Sequence, residues 1–302
     1  LEVNVCFKAY KRENIISQST KIINSGKKSV KLGRFYSSYL PLHSDKYYLT
    51  HFYGTWANEM QLVEERVLPG IKKIESKRGL KTTQAENPSF LLSLNQPSQE
   101  DTGSVYGGTL AWSGNYAHLF ELDETGTLNI FSGMNPFLSD FELKAKDTFV
   151  TPEMILTYSE KGRGQISRNF HDWARRYGIY NGDKLNPIVL NSWEGAYFDF
   201  NEETILSMID KAAEFGIEMF VLDDGWFGRK YPRNGDNAGL GDWVTNTDKL
   251  PNGIHYLAEY AHNKGLEFGI WIEPEMVNPK SELAEKHPEW IVKSGKREML
   301  TM

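Results

Sequence analysis

From Pro187 onward one pattern repeats three times: a continuous apolar run, a tip of aromatic and acidic residues, then an amphipathic helix. The runs are "PIVLNSW", "EMFVLDDGW" and "LEFGIWIEPEM". Continuous apolarity marks a strand buried on both faces, and helices between such strands make parallel βαβ units. The helix after the first run opens at Asn201, with Glu202 and Glu203 in its first turn. It carries Ile205, Ile209, Ala212 and Ala213, and Gly216 is placed to end it. "GIHYLAEYAHNKG" is the next helix, stopping at Gly265, and "SELAEKHPEW" begins another. A β/α barrel or an open α/β sheet follows, and in either the chemistry sits beyond the carboxyl ends of the strands.

The first half has a different period. "LEVNVCF" alternates apolar and polar residues, as a half-buried strand does. "KIINSGKKSVKL" sets an Asn-Ser-Gly turn between two such runs. Gly, Asn and Asp clusters at ~8–12-residue spacing continue to about Pro152, which reads as an all-β sandwich. In "GQISRNFHDWARRYGI", Ile166, Phe170, Trp173 and Tyr177 fall at helical intervals. We therefore expect a β-sandwich over 1–160, a linking helix over 161–180 and the first three β/α units of a barrel over 181–302. The fold class is multi-domain: an all-β supersandwich, then a partial (β/α)₈ barrel.

Charge and cysteine usage narrow the function classes. A net charge of −6, with no basic stripe concentrating the 34 Lys and Arg, argues against nucleic acid as partner. No run of ~18 apolar residues suggests a membrane span, and no signal pattern opens the chain. The single cysteine, Cys6, excludes an internal disulfide framework and suits a reducing, cytoplasmic setting. Its place in "VNVCFKAY" predicts a buried structural thiol. The chain starts at Leu1 inside a strand-like alternation and stops at "REMLTM", so both ends read as cut from a longer protein.

The three strand tips hold Trp193-Glu194, Asp223-Asp224-Gly225-Trp226 and Trp271 to Glu275. Asp-Asp-Gly is ordinary turn chemistry, but the neighbouring tips also carry indoles and carboxylates. A glycosidase nucleophile and acid must flank the scissile bond, ~5–5.5 Å apart for retention and further for inversion. Adjacent aspartates on one strand end reach the same side of a ligand. They suit accepting charge-assisted hydrogen bonds from hydroxyls. Trp193, Trp226 and Trp271 are core residues by default, yet an indole at a loop-facing tip also offers a face to a pyranose and an N–H to pair. Glu273 and Glu275 beside the two aspartates are hard ligands suited to Mg²⁺, but Trp271 and Pro274 are poor neighbours for a hydrated ion, so no metal and no cofactor are expected. The loop "GRKYPRNGDNAGLGDW" is long for a βα connection, and such loops are commonly functional. His51 reads as a satisfied structural histidine. Trp56 reads either as sandwich core or as a wall reaching the barrel mouth.

Taken together, "LNSWEGAYFDFNEE", "FVLDDGWFGRK", "LGDW", "KLPNGI", "GIWIEPEMV" and "HPEW" resemble the α-galactosidases of glycoside hydrolase family 36. "HFYGTWANEMQ", "IESKRG" and "GMNPF" are similar to the family's N-terminal sandwich, so the likeness covers nearly the whole chain. The resemblance implies retaining hydrolysis of terminal α-galactosides such as raffinose or melibiose, without a metal, by a homo-oligomer, often a tetramer. It implies that Asp223 and Asp224 hold sugar hydroxyls, that Trp271 lines the pocket and that Trp56 reaches in from the sandwich. The family's nucleophile is the aspartate of a Lys-Trp-Asp motif on the fourth barrel strand, and its acid/base is a later aspartate; neither motif occurs here. Catalytic residues are thus expected downstream of Met302, and the 302-residue chain alone is expected to be inactive. A non-catalytic carbohydrate-binding or assembly module is the alternative from another class. A related transferase, or an enzyme processing α-N-acetylgalactosamine, is the alternative within the same chemistry.

Overall fold

Alternating segments of the first half pair into antiparallel sheets. The structure is a computed structural model, which describes residues 1–79, 85–137 and 140–292. The strands are β1 (Glu2–Tyr10), β2 (Ile15–Ile23), β3 (Val30–Leu32), β4 (Ser38–His43), β5 (Tyr47–Thr55), β6 (Asn58–Arg66) and β7 (Gly70–Glu75). They continue with β8 (Glu86–Leu94), β9 (Val105–Leu110), β10 (Tyr116–Leu122), β11 (Thr127–Met134), β12 (Phe141–Leu143), β13 (Thr148–Val150) and β14 (Met154–Ser159). The larger sheet runs β1-β2-β14-β9-β8-β5-β6, with β13 also on β2; the second runs β4-β11-β10-β7. Alternate residues of the two sheets meet in one core: Leu49, Phe90, Leu92 and Met154 from the larger, Phe120, Leu128 and Ile130 from the second.

Helix α1 (Gly162–Trp173) packs by close approach on the face of the larger sheet turned away from this core. A Cβ at Gly107 would lie 2.4 Å from Ile166 of the helix, and one at Gly108 would lie 2.5 Å from Phe90 on the opposite face. Two adjacent glycines therefore let one strand be covered tightly on both sides. Ile166 is buried, and Phe170 and Trp173 pack on Tyr10, Ile15 and Ile155. The helix runs on into a π-helical turn, Ala174–Gly178, where Tyr177 is exposed.

One expectation for this half is corrected. Cys6 is exposed: among the described residues β1 pairs with β2 alone, at an edge of the sheet, and of its residues Tyr10 at the far end is the buried one. The run after the Asn-Ser-Gly turn does not return as a hairpin: β3 pairs with β12, more than a hundred residues later. Asn24 holds that turn open, its side-chain amide donating to the carbonyls of Lys28, Leu143 and Lys144.

The second half forms a separate compact unit, Leu185–Met302, after Leu1–Lys184. Its elements are β15 (Val189–Asn191), α2 (Trp193–Ala196), α3 (Glu202–Glu214), β16 (Met219–Leu222), α4 (Gly253–Asn263), β17 (Glu267–Ile270) and α5 (Glu282–Lys286). The three strands are parallel and adjacent in chain order, with Leu190, Phe220 and Phe268 in register. Asn201 caps α3 by accepting the Thr204 N–H at 2.9 Å. Ile205 and Ile209 are fully buried against Phe220 and Leu222, each contributing about 1.5–3 kcal/mol. Gly216 and Gly265 end α3 and α4 with φ of 73° and 84°, the left-handed conformation that glycine adopts without strain. Each strand is shorter than its apolar run. Trp193 starts the one-turn α2, and Trp271 follows the last residue of β17.

Candidate functional site

The tips of β15 and β16 are joined by side chains. Asn191 ends β15; its Oδ1 accepts the Trp193 N–H at 2.7 Å, and its Nδ2 donates to Asp223 Oδ2 at 2.6 Å. The Asp223 N–H donates to Ser192 Oγ at 3.0 Å. Asp223 Oδ1 in turn accepts the Asp224 N–H at 2.7 Å. The partly buried carboxylate of Asp223 is thus oriented by one neighbour on its own strand end and one on the next.

Asp224 is 5% exposed, and a bare carboxylate so deep would be costly. Its compensation comes from the long loop. Arg233, itself 4% exposed, donates Nη2 to Asp224 Oδ2 at 2.7 Å and Nε to Oδ1 at 3.0 Å, a two-pronged geometry that matches a guanidinium to a carboxylate. Asp224 Oδ1 also accepts the Gly225 N–H at 2.7 Å. The adjacent charges that the sequence leaves unexplained therefore have different partners: Asn191 for Asp223 and Arg233 for Asp224.

The same loop is tied to the third strand end. Asn278 Oδ1 accepts Arg233 Nη1 at 3.2 Å and the Leu240 N–H at 3.0 Å, while its Nδ2 donates to the Asp236 carbonyl at 3.0 Å. Asp242 of "GDW" caps α5, accepting the N–H groups of Glu282 and Leu283 at 2.8 and 2.9 Å. Lys249 Nζ donates to the carbonyls of Phe198 at 2.7 Å and Gly225 at 3.1 Å, so it bridges the loops that follow β15 and β16. Burial pushes the Lys249 pKa down, against the pull of Asp199 and Asp224.

These loops enclose a cavity of about 930 Å³ lined by Trp193, Asp224, Arg233, Asp236, Glu273 and Asn278, among others. A cleft that sets Asp224, Arg233 and Glu273 beside an indole and the apolar Leu240, Met276 and Val277 suits a ligand with both hydroxyls and a C–H face. Of the residues singled out from sequence, Trp193, Asp224 and Glu273 line it. Asp223 and Trp271 stand at the strand ends outside its lining, both partly exposed. Trp226 is 5% exposed, donates its indole N–H to the Trp271 carbonyl at 3.0 Å, and packs with Phe227 and Trp243. Its indole is used in holding the strand ends together.

Trp56 lies at the turn between β5 and β6 in the other unit, 82% exposed, which corrects the sandwich-core alternative. His51 is not a satisfied histidine: neither ring nitrogen hydrogen-bonds to a described residue, and Nε2 lies 3.4 Å from Glu65 Oε1. Among the described residues no group of three or more His, Cys, Asp or Glu is arranged to hold a metal ion. Sequence reasoning missed Arg233, Asn278, Lys249 and Asn191. Asn191, Lys249 and Arg233 stand in quoted stretches, Arg233 in the long loop, but none carries a periodic signal, and Asn278 lies in an irregular segment.

Comparison with known proteins places this geometry. The melibiase family model matches residues 148–302, and the model of the glycosyl hydrolase family 36 N-terminal domain matches residues 1–144. The chain belongs to the melibiase family. This melibiase chain is 40% identical over 295 residues to the α-galactosidase AgaA of Geobacillus stearothermophilus, covering 97% of the chain and 40% of that relative. It is 35% identical over 294 residues to the α-galactosidase Mel36A of Lactobacillus acidophilus, again covering 97% of the chain and 40% of the relative. A crystal structure of AgaA in complex with stachyose superposes with a TM-score of 0.93 at 37% identity, over 99% of this chain and 41% of that one. The melibiase chain thus spans about 40% of the length of the curated relatives it matches. Its fold is their β-sandwich followed by the first β/α units of their barrel.

Proposed function

We propose that the chain is the sugar-holding part of a retaining α-galactosidase, which hydrolyses terminal α-linked galactose from oligosaccharides such as raffinose or melibiose. One observation carries this reading: in a chain of the melibiase family, Trp193 and Asp224, from two adjacent strand tips, line the same cavity. AgaA, 37% identical in structure-based comparison, has been captured with stachyose and with raffinose, which supports a galactose-terminated substrate. Asp223 and Asp224 accept sugar hydroxyls, and the indole of Trp193 offers a face to the ring. Trp271 and Trp226 set the shape of the strand ends around them, and Trp56 presents an exposed indole on the sandwich unit.

Hydrolysis with retention needs one carboxylate to attack the anomeric carbon and a second carboxylic acid to protonate the leaving oxygen, ~5–5.5 Å apart across the bond. Asp223 and Asp224 follow each other on one strand end, and each carboxylate is already oriented by its own donors, so neither is assigned to those roles. The reacting carboxylates belong to the parent enzyme beyond this stretch. An exposed free thiol at Cys6 supports placement in a reducing cytoplasm. Calorimetric titration of melibiose into the 302-residue chain tests the reading, alongside a chromogenic α-galactoside assay. Saturable heat without turnover is expected; a folded chain giving no heat sinks it, and turnover would show that the chain carries its own reacting pair.

A further inference from the structure

We infer that Arg233 is a positioning residue that acts through Asp224, so that the two adjacent aspartates grip a sugar unequally. The inference rests on the galactoside reading above and adds a residue and a division of labour to it.

An ionised carboxylate has about four acceptor sites. Asp224 Oδ1 accepts Gly225 N–H at 2.7 Å, Oδ2 accepts Arg233 Nη2 at 2.7 Å, and the Arg233 Nε–H is shared between Oδ1 at 3.0 Å and Oδ2 at 3.1 Å. With that N–H shared, at most about one site is left, on Oδ2, for a ligand. Asp223 Oδ1 accepts the Asp224 N–H and Oδ2 accepts Asn191 Nδ2, one donor on each oxygen, so about one site remains on each. Asp223 is the more exposed of the two. It can take hydroxyls on both oxygens, whereas Asp224 takes one, in a direction fixed by the guanidinium.

Arg233 is placed to fix rather than to roam. Its carbon Cζ lies 5.4 Å from the centre of the Phe198 ring, Nη1 donates to Asn278 Oδ1 at 3.2 Å, and the side chain is almost wholly buried. The flat fork meets both oxygens of Asp224 at once, which a lysine ammonium cannot do. Arg233 also belongs to the loop that walls the cavity, so the same contact holds the wall and aims the acceptor.

The test is melibiose titration by calorimetry on the full 302-residue chain and on R233K, D223N, D224N and R233M/D224N, each checked for folding by circular dichroism. R233K keeps the charge and loses the fork; its Kd is expected to rise roughly 10-fold, the loss of one charge-assisted contact. R233M/D224N is expected to bind within about twofold of D224N, because the effect of Arg233 on the sugar passes through that carboxylate rather than through its bond to Asn278. D223N is expected to weaken binding more than D224N. R233K binding like the wild type overturns the inference, as do losses that add in the double variant. If R233K does not fold, the D223N and D224N comparison decides, and a larger loss in D224N overturns it. No heat from the folded wild type removes the galactoside reading, and this inference with it; a wild type that binds beside an unaffected R233K removes this inference alone.

Discussion

Acid should weaken the sandwich unit through one histidine. His118 is fully buried between the two sheets, with Nε2 3.0 Å from the Pro88 carbonyl and Nδ1 2.8 Å from Ser132 Oγ. A carbonyl only accepts, so Nε2 bears a proton, and in the neutral ring Nδ1 then accepts from the Ser132 hydroxyl. Burial pushes its pKa down from 6.5 to about 4, opposed by the Pro88 carbonyl. The unfolded chain takes up this proton below about pH 6.5, whereas the folded chain waits until about pH 4. The unfolded state therefore binds more protons in that window, and stability falls as the pH drops through it. At ~1.4 kcal/mol per pH unit the loss is about 3 kcal/mol, a large part of the ~5–15 kcal/mol that holds a domain folded. The assay is guanidinium unfolding at pH 7.5 and pH 4.0 of the wild type and His118→Gln, whose amide can still donate and accept. The variant is expected to start less stable but to lose about 3 kcal/mol less on acidification. Equal acid losses in the two proteins would refute the assignment.

Glu75 titrates in a second, lower window. Burial raises its pKa, but hydrogen bonds from Lys73, Lys77 and Asn135 outweigh that and hold it at about 2. Its contribution is present above about pH 4.5 and lost as the pH falls toward 2, and after allowance for solvent screening Glu75→Gln should cost about 1–2 kcal/mol at pH 7 by urea unfolding while flattening that acid limb. Lys249→Met should leave the carbonyls of Phe198 and Gly225 without their donor; a cost of about 2–4 kcal/mol is expected in the same assay, and a change under about 0.5 kcal/mol would show that water replaces it. Asn201→Ala should cost about 1 kcal/mol through the lost cap of α3, read as a lower denaturation midpoint.

The helices and the order of the strands are legible because they are written in periods. Ile205, Ile209 and Ala212 fall on one face at helical spacing, and Asn201 and Gly216 punctuate the ends by local chemistry. The strand tips are legible for the same reason: an apolar run must end where charge begins, which marks Asp223 and Trp271. Burial at an edge is not written in period. Cys6 alternates like a half-buried residue, yet among the described residues its strand has one neighbour, and that depends on which other strands pair. Loop partners are also silent. Arg233 meets Asp224 nine residues away and Asn278 forty-five residues away, contacts that follow from a closed loop rather than from spacing. Trp226 shows the limit of residue type as a guide, since an indole at a strand tip serves equally as wall or as filler, and its N–H is taken by Trp271.

The Asn191–Asp223 hydrogen bond has a consequence for anyone redesigning this cleft. Because the amide of one rib steers the acid of the next, neither position is an independent dial. A library that varies Asp223 while freezing Asn191 would sample mostly misaimed side chains, so the two codons are best randomised as a couple.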